Sequence, residues 1–117
     1  MINYLFKRNK HQDYIYVMIR KDIPFEDQMV QVGHACFESG RKYGVKNTFL
    51  VLLQVRNEIE LIEWSDILNK QKIRYHLFFE CDPIQPQGQP MGNTALCTEP
   101  INGLIRDVFK NCKKYYA

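Results

Sequence analysis

The sequence HLFFECDPIQPQGQPMGNTALCT, residues 76–98, holds two short apolar runs separated by a loop rich in proline, glycine and glutamine. Leu77, Phe78 and Phe79 follow one another without helical spacing, which predicts a buried strand. The loop cannot continue a helix or a central strand because it contains Pro83, Pro86, Gly88, Pro90 and Gly92. Asp82 is therefore predicted where a strand gives way to a structured loop, a common place for a functional site.

Four strands are predicted along the chain. Residues 14–20 (YIYVMIR) and 49–55 (FLVLLQV) are continuously apolar, which is typical of strands covered on both faces. The first of them is expected at the centre of the sheet. Residues 74–81 and 94–97 form the third and fourth strands, on either side of the proline and glycine loop.

The first predicted helix spans residues 26–43. Glu26 and Asp27 are acidic residues that suit a first turn, and Gly44 is suited to the C-cap. The helix is expected to place its apolar residues against the sheet, since they recur at helical spacing. These residues are Met29, Val30, Val32, Gly33, Cys36 and Phe37.

Two further helices are predicted. Asn57 can cap a helix that continues through Asn69. Pro100 suits the first turn of a C-terminal amphipathic helix, because apolar residues follow it at helical intervals. They are Ile101, Leu104, Ile105, Val108 and Cys112.

The order of these elements predicts an α/β fold. The first two strands are joined by a helix, so a right-handed crossover should make them parallel, whereas the short loop between the last two strands favours an antiparallel pair. The expected architecture is one compact domain, residues 13–117, with a mixed four-stranded sheet flanked by α-helices on both faces. Residues 1–12 are basic and short, and are expected to form an N-terminal extension.

Composition narrows the functional classes. The chain has 117 residues, a formal charge of +3 and four cysteines without a C-x-x-C pair, so neither a zinc ribbon nor a disulfide framework is indicated. No Walker loop, G-x-G-x-x-G motif or histidine pair at metal spacing occurs. We therefore expect no metal and no cofactor. No apolar run approaches the roughly twenty residues that span a bilayer, so we expect no membrane association and a cytoplasmic location. The mild basicity permits a nucleic-acid partner.

His34, Asp82 and Thr94 are the candidate reactive residues. His34 belongs to the helix that follows the first parallel strand, near the edge where such sheets commonly bind ligands. Each residue has two interpretations: His34 packs or reacts, Asp82 closes its loop or reacts, and Thr94 is an ordinary strand residue or part of the site. Cys81 is expected to be a buried structural thiol.

Two motifs resemble the type 2 peptidyl-tRNA hydrolases. Residues 31–35 read Gln-Val-Gly-His-Ala, and Asp82 is followed at the family's intervals by Pro90 and Thr94. The resemblance covers most of the chain from Tyr14 onward. It implies a compact α/β fold, often a homodimer, and hydrolysis of the ester that joins a peptide to the 3′ ribose of tRNA.

The chain also departs from the family pattern. The family normally opens the helix with Gly-Lys, where this chain has Glu26 and Asp27, and it has a threonine where this chain has Pro86. The charge at the helix start is therefore inverted. Other cations are expected to replace the lysine in binding the substrate, namely Lys21, Arg41, Lys42 or the group from Lys110 to Lys114.

Two functions follow from the resemblance. In the first, peptidyl-tRNA is hydrolysed: His34 or Asp82 orients or deprotonates a water, Gln31 and Thr94 supply hydrogen bonds, and loop amides near Gly88 and Gly92 stabilise the oxyanion. In the second, catalysis is lost and the protein binds tRNA or another protein.

Overall fold

The computed structural model describes residues 12–44, 47–83 and 88–116. Apart from Gln12, the predicted N-terminal extension lies outside the described residues, and so does Pro86. The elements are β1 (Asp13–Arg20), α1 (Phe25–Tyr43), β2 (Thr48–Val55), α2 (Glu58–Lys70), β3 (Tyr75–Pro83), β4 (Pro90–Thr98) and a 3-10 helix (Gly103–Phe109).

The sheet has the predicted mixed topology. Its strand order is β2-β1-β4-β3, with β1 and β2 parallel and β4 antiparallel to both of its neighbours. The strands β1, β2 and β3 therefore run in one direction and end at the same edge of the sheet, where β4 begins. Both α-helices also begin at this edge, because each one follows the end of a strand.

The sheet is covered on both faces, as predicted. The side of α2 and the 3-10 helix holds the larger apolar cluster, which includes Met18, Leu53, Leu61, Leu68, Leu96 and Phe109. The side of α1 holds a smaller cluster of Val17, Ile19, Ile23, Ala35, Met91, Ala95 and Cys97. Single strands contribute to both clusters since successive side chains point to opposite faces.

The two capping residues predicted from the sequence lie at the ends of the helices. Asn57 caps α2, with its side-chain oxygen accepting a hydrogen bond from the Glu60 N–H at 3.0 Å. Gly44 ends α1 with φ of 87°, a backbone conformation that favours glycine.

The orientation predicted for α1 is wrong in part: Val32 and Cys36 pack against the smaller apolar cluster, but the larger apolar side chains of the helix do not. The buried residues of this helix are Gln28, Gln31, Ala35 and Ser39, of which three are polar. Four apolar side chains of the helix are exposed instead, namely Phe25, Met29, Val30 and Phe37. The helix can bury its polar side because each inward polar group finds a hydrogen-bond partner. For example, Ser39 donates to Thr98 O and Gln28 donates to Ile23 O.

The C-terminal α-helix predicted from Pro100 is also wrong. Ile101 instead exchanges two backbone hydrogen bonds with Tyr14, as an isolated β-bridge. Its backbone groups are thus committed to the sheet, and Gly103 follows with φ of 75°. Only a short 3-10 helix forms beyond this point, and Leu104 is left 87% exposed.

The last two strands are longer than predicted. β3 extends to Pro83 and β4 begins at Pro90, which pairs with Pro83. Register shifts after Phe78 and after Glu80 allow the pairing to continue through a sequence that interrupts a regular ladder. Cys81, expected to be buried, is exposed near the end of β3.

The C-terminal tail covers the outer edge of β2. Gln54 N–H donates to Lys113 O, and Tyr115 N–H donates to Leu52 O. These bonds satisfy backbone groups that an open edge strand would leave available to other chains.

Candidate functional site

A chain of hydrogen bonds joins β4, α1 and β3. The hydroxyl of Thr94 donates to Gln31 Oε1 at 2.7 Å, and Gln31 Nε2 donates to Glu80 Oε1 at 2.8 Å. Thr94 and Gln31 are buried, whereas Glu80 is partly exposed. The threonine proton fixes which end of the Gln31 amide faces β3, so a donor always points at the carboxylate.

Glu80 is the point where this chain reaches solvent. Hydrogen bonding from Gln31 lowers the pKa of Glu80, against the opposing effect of burial. The backbone amides of Asp82 and Cys81 and the charge of His34 lower the pKa further. The carboxylate is therefore ionised at neutral pH and is held in one position, which suits it to accept a hydrogen bond from a water and orient it.

His34 lies beside this carboxylate. Its imidazole stacks on the Phe78 ring with 4.6 Å between ring centroids and 2° between planes. Phe78 and Glu80 are alternate residues of β3, and the His34 residue is exposed. The stacking fixes the plane of the imidazole while leaving the ring open to solvent.

Asp82 meets the same group through its backbone. Its N–H donates to Glu80 Oε2 at 3.2 Å, and the residue is exposed at the end of β3. Asp82 and His34 therefore both neighbour Glu80, which brings the two sequence-predicted residues to one region of the molecule.

An ion pair between buried Arg20 and exposed Asp22 fixes the backbone next to the site. Arg20 is 6% exposed and binds Asp22 through two hydrogen bonds of 2.8 and 2.9 Å. It also donates to Met91 O at 2.7 Å and to Asn93 O at 3.1 Å. The guanidinium thus ties the end of β1 to the start of β4, immediately before Thr94.

Gly92 lies opposite Glu80 in the sheet register. Its φ is 85°, and a Cβ at this position would lie 2.7 Å from Glu58 Oε2. That carboxylate oxygen accepts from the backbone and side-chain nitrogens of Asn93 at 2.8 and 3.1 Å. Gly92 therefore permits the start of β4 to lie close to the start of α2.

The structure does not bring the predicted substrate-binding cations to this site. Lys21 donates to Tyr116 O at 2.7 Å and lies over the Tyr115 ring, at the end of β1. Arg41 pairs with Glu38. Lys42 lies near His76 at the beginning of β3, where partial burial and then the charge of Lys42 lower the pKa of His76. Arg41 and Lys42 thus lie near the opposite edge of the sheet from Asp82.

Acidic residues occupy the beginning of α1. Asp27 precedes Gln31 by one helical turn and Glu26 is exposed beside it. Together with Glu80 and Asp82, they give this edge of the sheet a negative character.

Among the described residues, no group of three or more His, Cys, Asp or Glu side chains is arranged to hold a metal ion. No helix in the described ranges is long and apolar enough to cross a membrane.

Glu80 is the site residue that sequence reasoning missed. The sequence signal for Glu80 was the alternation of β3, because His76, Phe78 and Glu80 share one face of the strand, with Glu80 near its end.

No protein-family model matches the sequence, and no significant match is found among curated proteins. The family resemblance therefore stands on the motifs at Gln31–Ala35 and Asp82–Thr94.

Proposed function

We propose that the protein hydrolyses the ester bond between a peptide and tRNA, in the manner of the type 2 peptidyl-tRNA hydrolases. One observation carries this proposal: the chain Thr94–Gln31–Glu80 ends in an ionised carboxylate beside His34 and Asp82. Four of these five residues belong to the motifs that carry the family resemblance.

The proposed reaction uses a water molecule between the acidic groups and the ester. Glu80 orients the water and Asp82 accepts its proton as the water oxygen attacks the carbonyl carbon, and the bond to the ribose 3′ oxygen then breaks. The proton passes to that 3′ oxygen, so the products are a free peptide carboxylate and tRNA. His34 is placed to contact the substrate through its exposed ring.

Thr94 and Gln31 act as positioning residues in this proposal. Both are buried, and the Thr94 hydroxyl proton is already used by Gln31. Their contribution is to hold Glu80 in one orientation before the substrate arrives, which reduces the reorganisation needed in the transition state.

The tRNA phosphates would contact cations that do not touch Glu80. Among the predicted cations, Lys21 lies at the same edge of the sheet as Glu80, because it directly follows β1. Phosphate contacts position the substrate rather than react, so they need not lie beside Glu80. A peptidyl-tRNA substrate would place the protein in the cytoplasm.

The decisive experiment measures release of peptide from an N-blocked aminoacyl-tRNA by the purified chain. The wild-type protein should release peptide above the background rate, and Glu80→Gln should lose about 10²–10⁴-fold in turnover, the scale of a positioned acid–base group, because the amide lacks the charge that orients the water. Asp66→Asn, at an exposed position of α2, is the matched control and should retain full turnover. Wild-type protein that releases no peptide would contradict the proposal.

Binding without catalysis is the second candidate function. The acidic start of α1 favours it, because Glu26 and Asp27 stand where the family has Gly-Lys and would repel a phosphate. Here tRNA would bind in a salt-dependent manner without being cleaved, since binding releases condensed counterions. Affinity that does not change between low and high salt would exclude tRNA and leave a protein partner.

A further inference from the structure

A groove lies at the corner of the sheet where β3 begins and where α1 and α2 both end. Its volume is about 660 Å³, which is in the range of small-molecule binding sites. We define it as the β3 groove by five of the residues that line it, namely Lys42, Lys72, Arg74, Tyr75 and His76. It lies at the opposite end of β3 from Glu80, so it is separate from the site proposed for ester hydrolysis.

The β3 groove is positively charged. Lys42, Lys72 and Arg74 line it, and none of its lining residues in the described ranges is acidic. Arg74 pairs with Glu99 at 3.0 Å. Neither lysine makes a hydrogen bond or an ion pair with any residue that the structure describes. The two lysine charges are therefore not balanced by a direct contact, and they are available to an anionic ligand.

Lys72 has an unfavourable backbone conformation. Its φ is 59°, and it is the only residue other than glycine with a positive φ in the described part of the chain. This conformation favours glycine because it crowds a Cβ atom. The helix dipole does not account for the lysine, since Lys70 already places a cation in the last turn of α2. Backbone strain of this kind is concentrated at functional positions, and here it places a cation on the groove.

Arg74 is held in one orientation. Its Nε and Nη2 donate to Glu99 Oε1 at 3.1 and 3.0 Å, and its guanidinium carbon lies 5.0 Å from the centroid of the Tyr43 ring. The Tyr43 hydroxyl in turn donates to Tyr75 O at 2.8 Å. Nη1 makes no hydrogen bond within the described ranges. A guanidinium that is fixed in this way and retains free donors is preorganised to bind a phosphate oxygen.

His76 adds a polar atom without a partner. Its Nδ1 is buried and makes no hydrogen bond to any described residue. Buried nitrogens of this kind are uncommon in folded proteins, and an oxygen of a bound ligand would satisfy it. Partial burial, and after it the charge of Lys42, lower the pKa of His76, while Glu38 opposes them. The effect of Lys42 agrees with a positive potential in the groove.

We propose that the β3 groove binds a small molecule that carries a phosphate monoester, such as a nucleoside 5′-monophosphate. A phosphate monoester has close to two negative charges at neutral pH, which match the two lysines. Arg74 would donate from Nη1 to the same phosphate. The rest of the lining includes Ile73, Tyr75 and Leu77, and apolar and aromatic side chains suit a flat ring such as a nucleobase. This site does not depend on the proposed function.

Isothermal titration calorimetry with adenosine 5′-monophosphate tests the site, and adenosine is the neutral counterpart. The wild-type chain should bind the nucleotide at least about tenfold more tightly than adenosine, and Lys72→Gly should weaken nucleotide binding by at least about tenfold. Lys70→Ala removes the same charge from the last turn of α2 and is the matched control. Failure of the wild-type chain to bind the nucleotide at millimolar concentration would overturn the proposal, and so would equal weakening by Lys70→Ala.

Thermal denaturation of Lys72→Gly separates ligand binding from a structural role. Glycine adopts a φ of 59° without strain, so the variant should melt at the same temperature as the wild-type chain or at a higher one. Affinity for the nucleotide should fall nevertheless. Unchanged affinity, together with a lower melting temperature, would show that Lys72 serves the end of α2 and would overturn its role in the groove.

A short RNA without a terminal phosphate distinguishes the two sources of phosphate. It carries phosphodiesters only, so it should not displace adenosine 5′-monophosphate from the wild-type chain. Displacement by this RNA, with equal weakening of both ligands in Lys72→Gly, would overturn the assignment to a small molecule and assign the β3 groove to a nucleic acid.

Discussion

The two helices that cover the sheet meet it with opposite chemistry. α2 turns Leu61 and Leu68 inward, and they join the larger apolar cluster. α1 turns Gln28, Gln31 and Ser39 inward, and it leaves its larger apolar side chains in contact with solvent. The difference shows that the apolar residues of a helix do not by themselves identify the side that faces a core. A polar side can be buried wherever its groups find hydrogen-bond partners.

This contrast divides two tasks between the faces of the sheet. Apolar burial on the α2 side stabilises the fold in proportion to the area removed from water. The polar contacts on the α1 side contribute less net stability per group but fix particular atoms in space. Glu80 is held in that way, and it is the residue on which the proposed chemistry depends.

Leu61→Ala should produce the largest loss of stability. Leu61 is 0% exposed, and removing a buried leucine side chain typically costs about 2–5 kcal/mol because a cavity remains. Urea denaturation followed by circular dichroism measures the change. Ile59→Ala on the same helix is the control and should change stability by less than about 0.5 kcal/mol. Equal effects of the two substitutions would contradict the assignment of Leu61 to the main core.

Thr94→Val should have a smaller effect on stability but a distinct one on the reaction. The substitution keeps the shape and leaves Gln31 Oε1 without its 2.7 Å hydrogen bond, which should cost about 1–3 kcal/mol. The Gln31 amide is then free to rotate and should lower the pKa of Glu80 less. In the proposed reaction the ionised form of Glu80 is the active one, so the acid limb of the rate profile should move to higher pH.

The rate of peptide release, measured as a function of pH, tests the prediction for Thr94→Val. Leu61→Ala is the control variant in the same assay. Leu61→Ala should lower stability without moving the acid limb, since Leu61 belongs to the cluster on the other face of the sheet. An unmoved limb in Thr94→Val would show that Glu80 does not determine the pH dependence.

Gly92→Ala tests the close approach of the start of β4 to the start of α2. Alanine at a φ of 85° is strained by about 1–2 kcal/mol, and its Cβ would displace Glu58 from Asn93. Gly88→Ala is the matched control, since its φ of 76° carries similar strain with no atom within 4 Å of the added Cβ. Thermal denaturation should show Gly92→Ala to be the less stable variant. The same melting temperature for both would mean that the approach of Glu58 has no energetic weight.

The contribution of His76 to stability should be the smallest of these effects, and it should depend on pH. Partial burial lowers the pKa of His76, Lys42 adds to the effect and Glu38 opposes it. The unfolded chain has the ordinary pKa of about 6.5 and so binds more protons below that pH. Stability should therefore fall as pH decreases through 6.5.

His76→Phe should remove this contribution. Nδ1 of His76 is buried without a hydrogen-bond partner among the described residues, so an apolar ring is tolerated there. Between pH 7.5 and pH 5.5 the melting temperature of the wild-type protein should fall more than that of His76→Phe. A steeper fall in the variant would reverse the sign of the predicted linkage.

The strands and helices could be predicted because their signals are local. Continuous apolar runs identified β1 and β2, and Asn57 and Gly44 marked helix ends through interactions within a few residues. The side of α1 that faces the sheet could not be predicted in this way. It depends on Thr94 and Glu80, which are distant in sequence and supply the partners that Gln31 needs.

The candidate site was predicted in part for the same reason. His34, Gln31, Asp82 and Thr94 were found through their motifs, and the structure brings them together around Glu80. Lys21, Arg41 and Lys42 were chosen by charge alone, which carries no information on position. The C-terminal helix failed because a backbone pairing of Ile101 with Tyr14 overrides a helical pattern of side chains.

The pairing of β1 with β4 has a consequence for folding kinetics. The central strand of the sheet bonds to the last strand of the chain, and Tyr16 N–H donates to a Thr98 hydroxyl 82 positions away. Closing so long a loop costs entropy before the pairing compensates for it, and high contact order slows folding. A nascent chain that ends before β4 leaves one edge of β1 unpaired, so completion of the sheet must wait for nearly the whole domain to be synthesised.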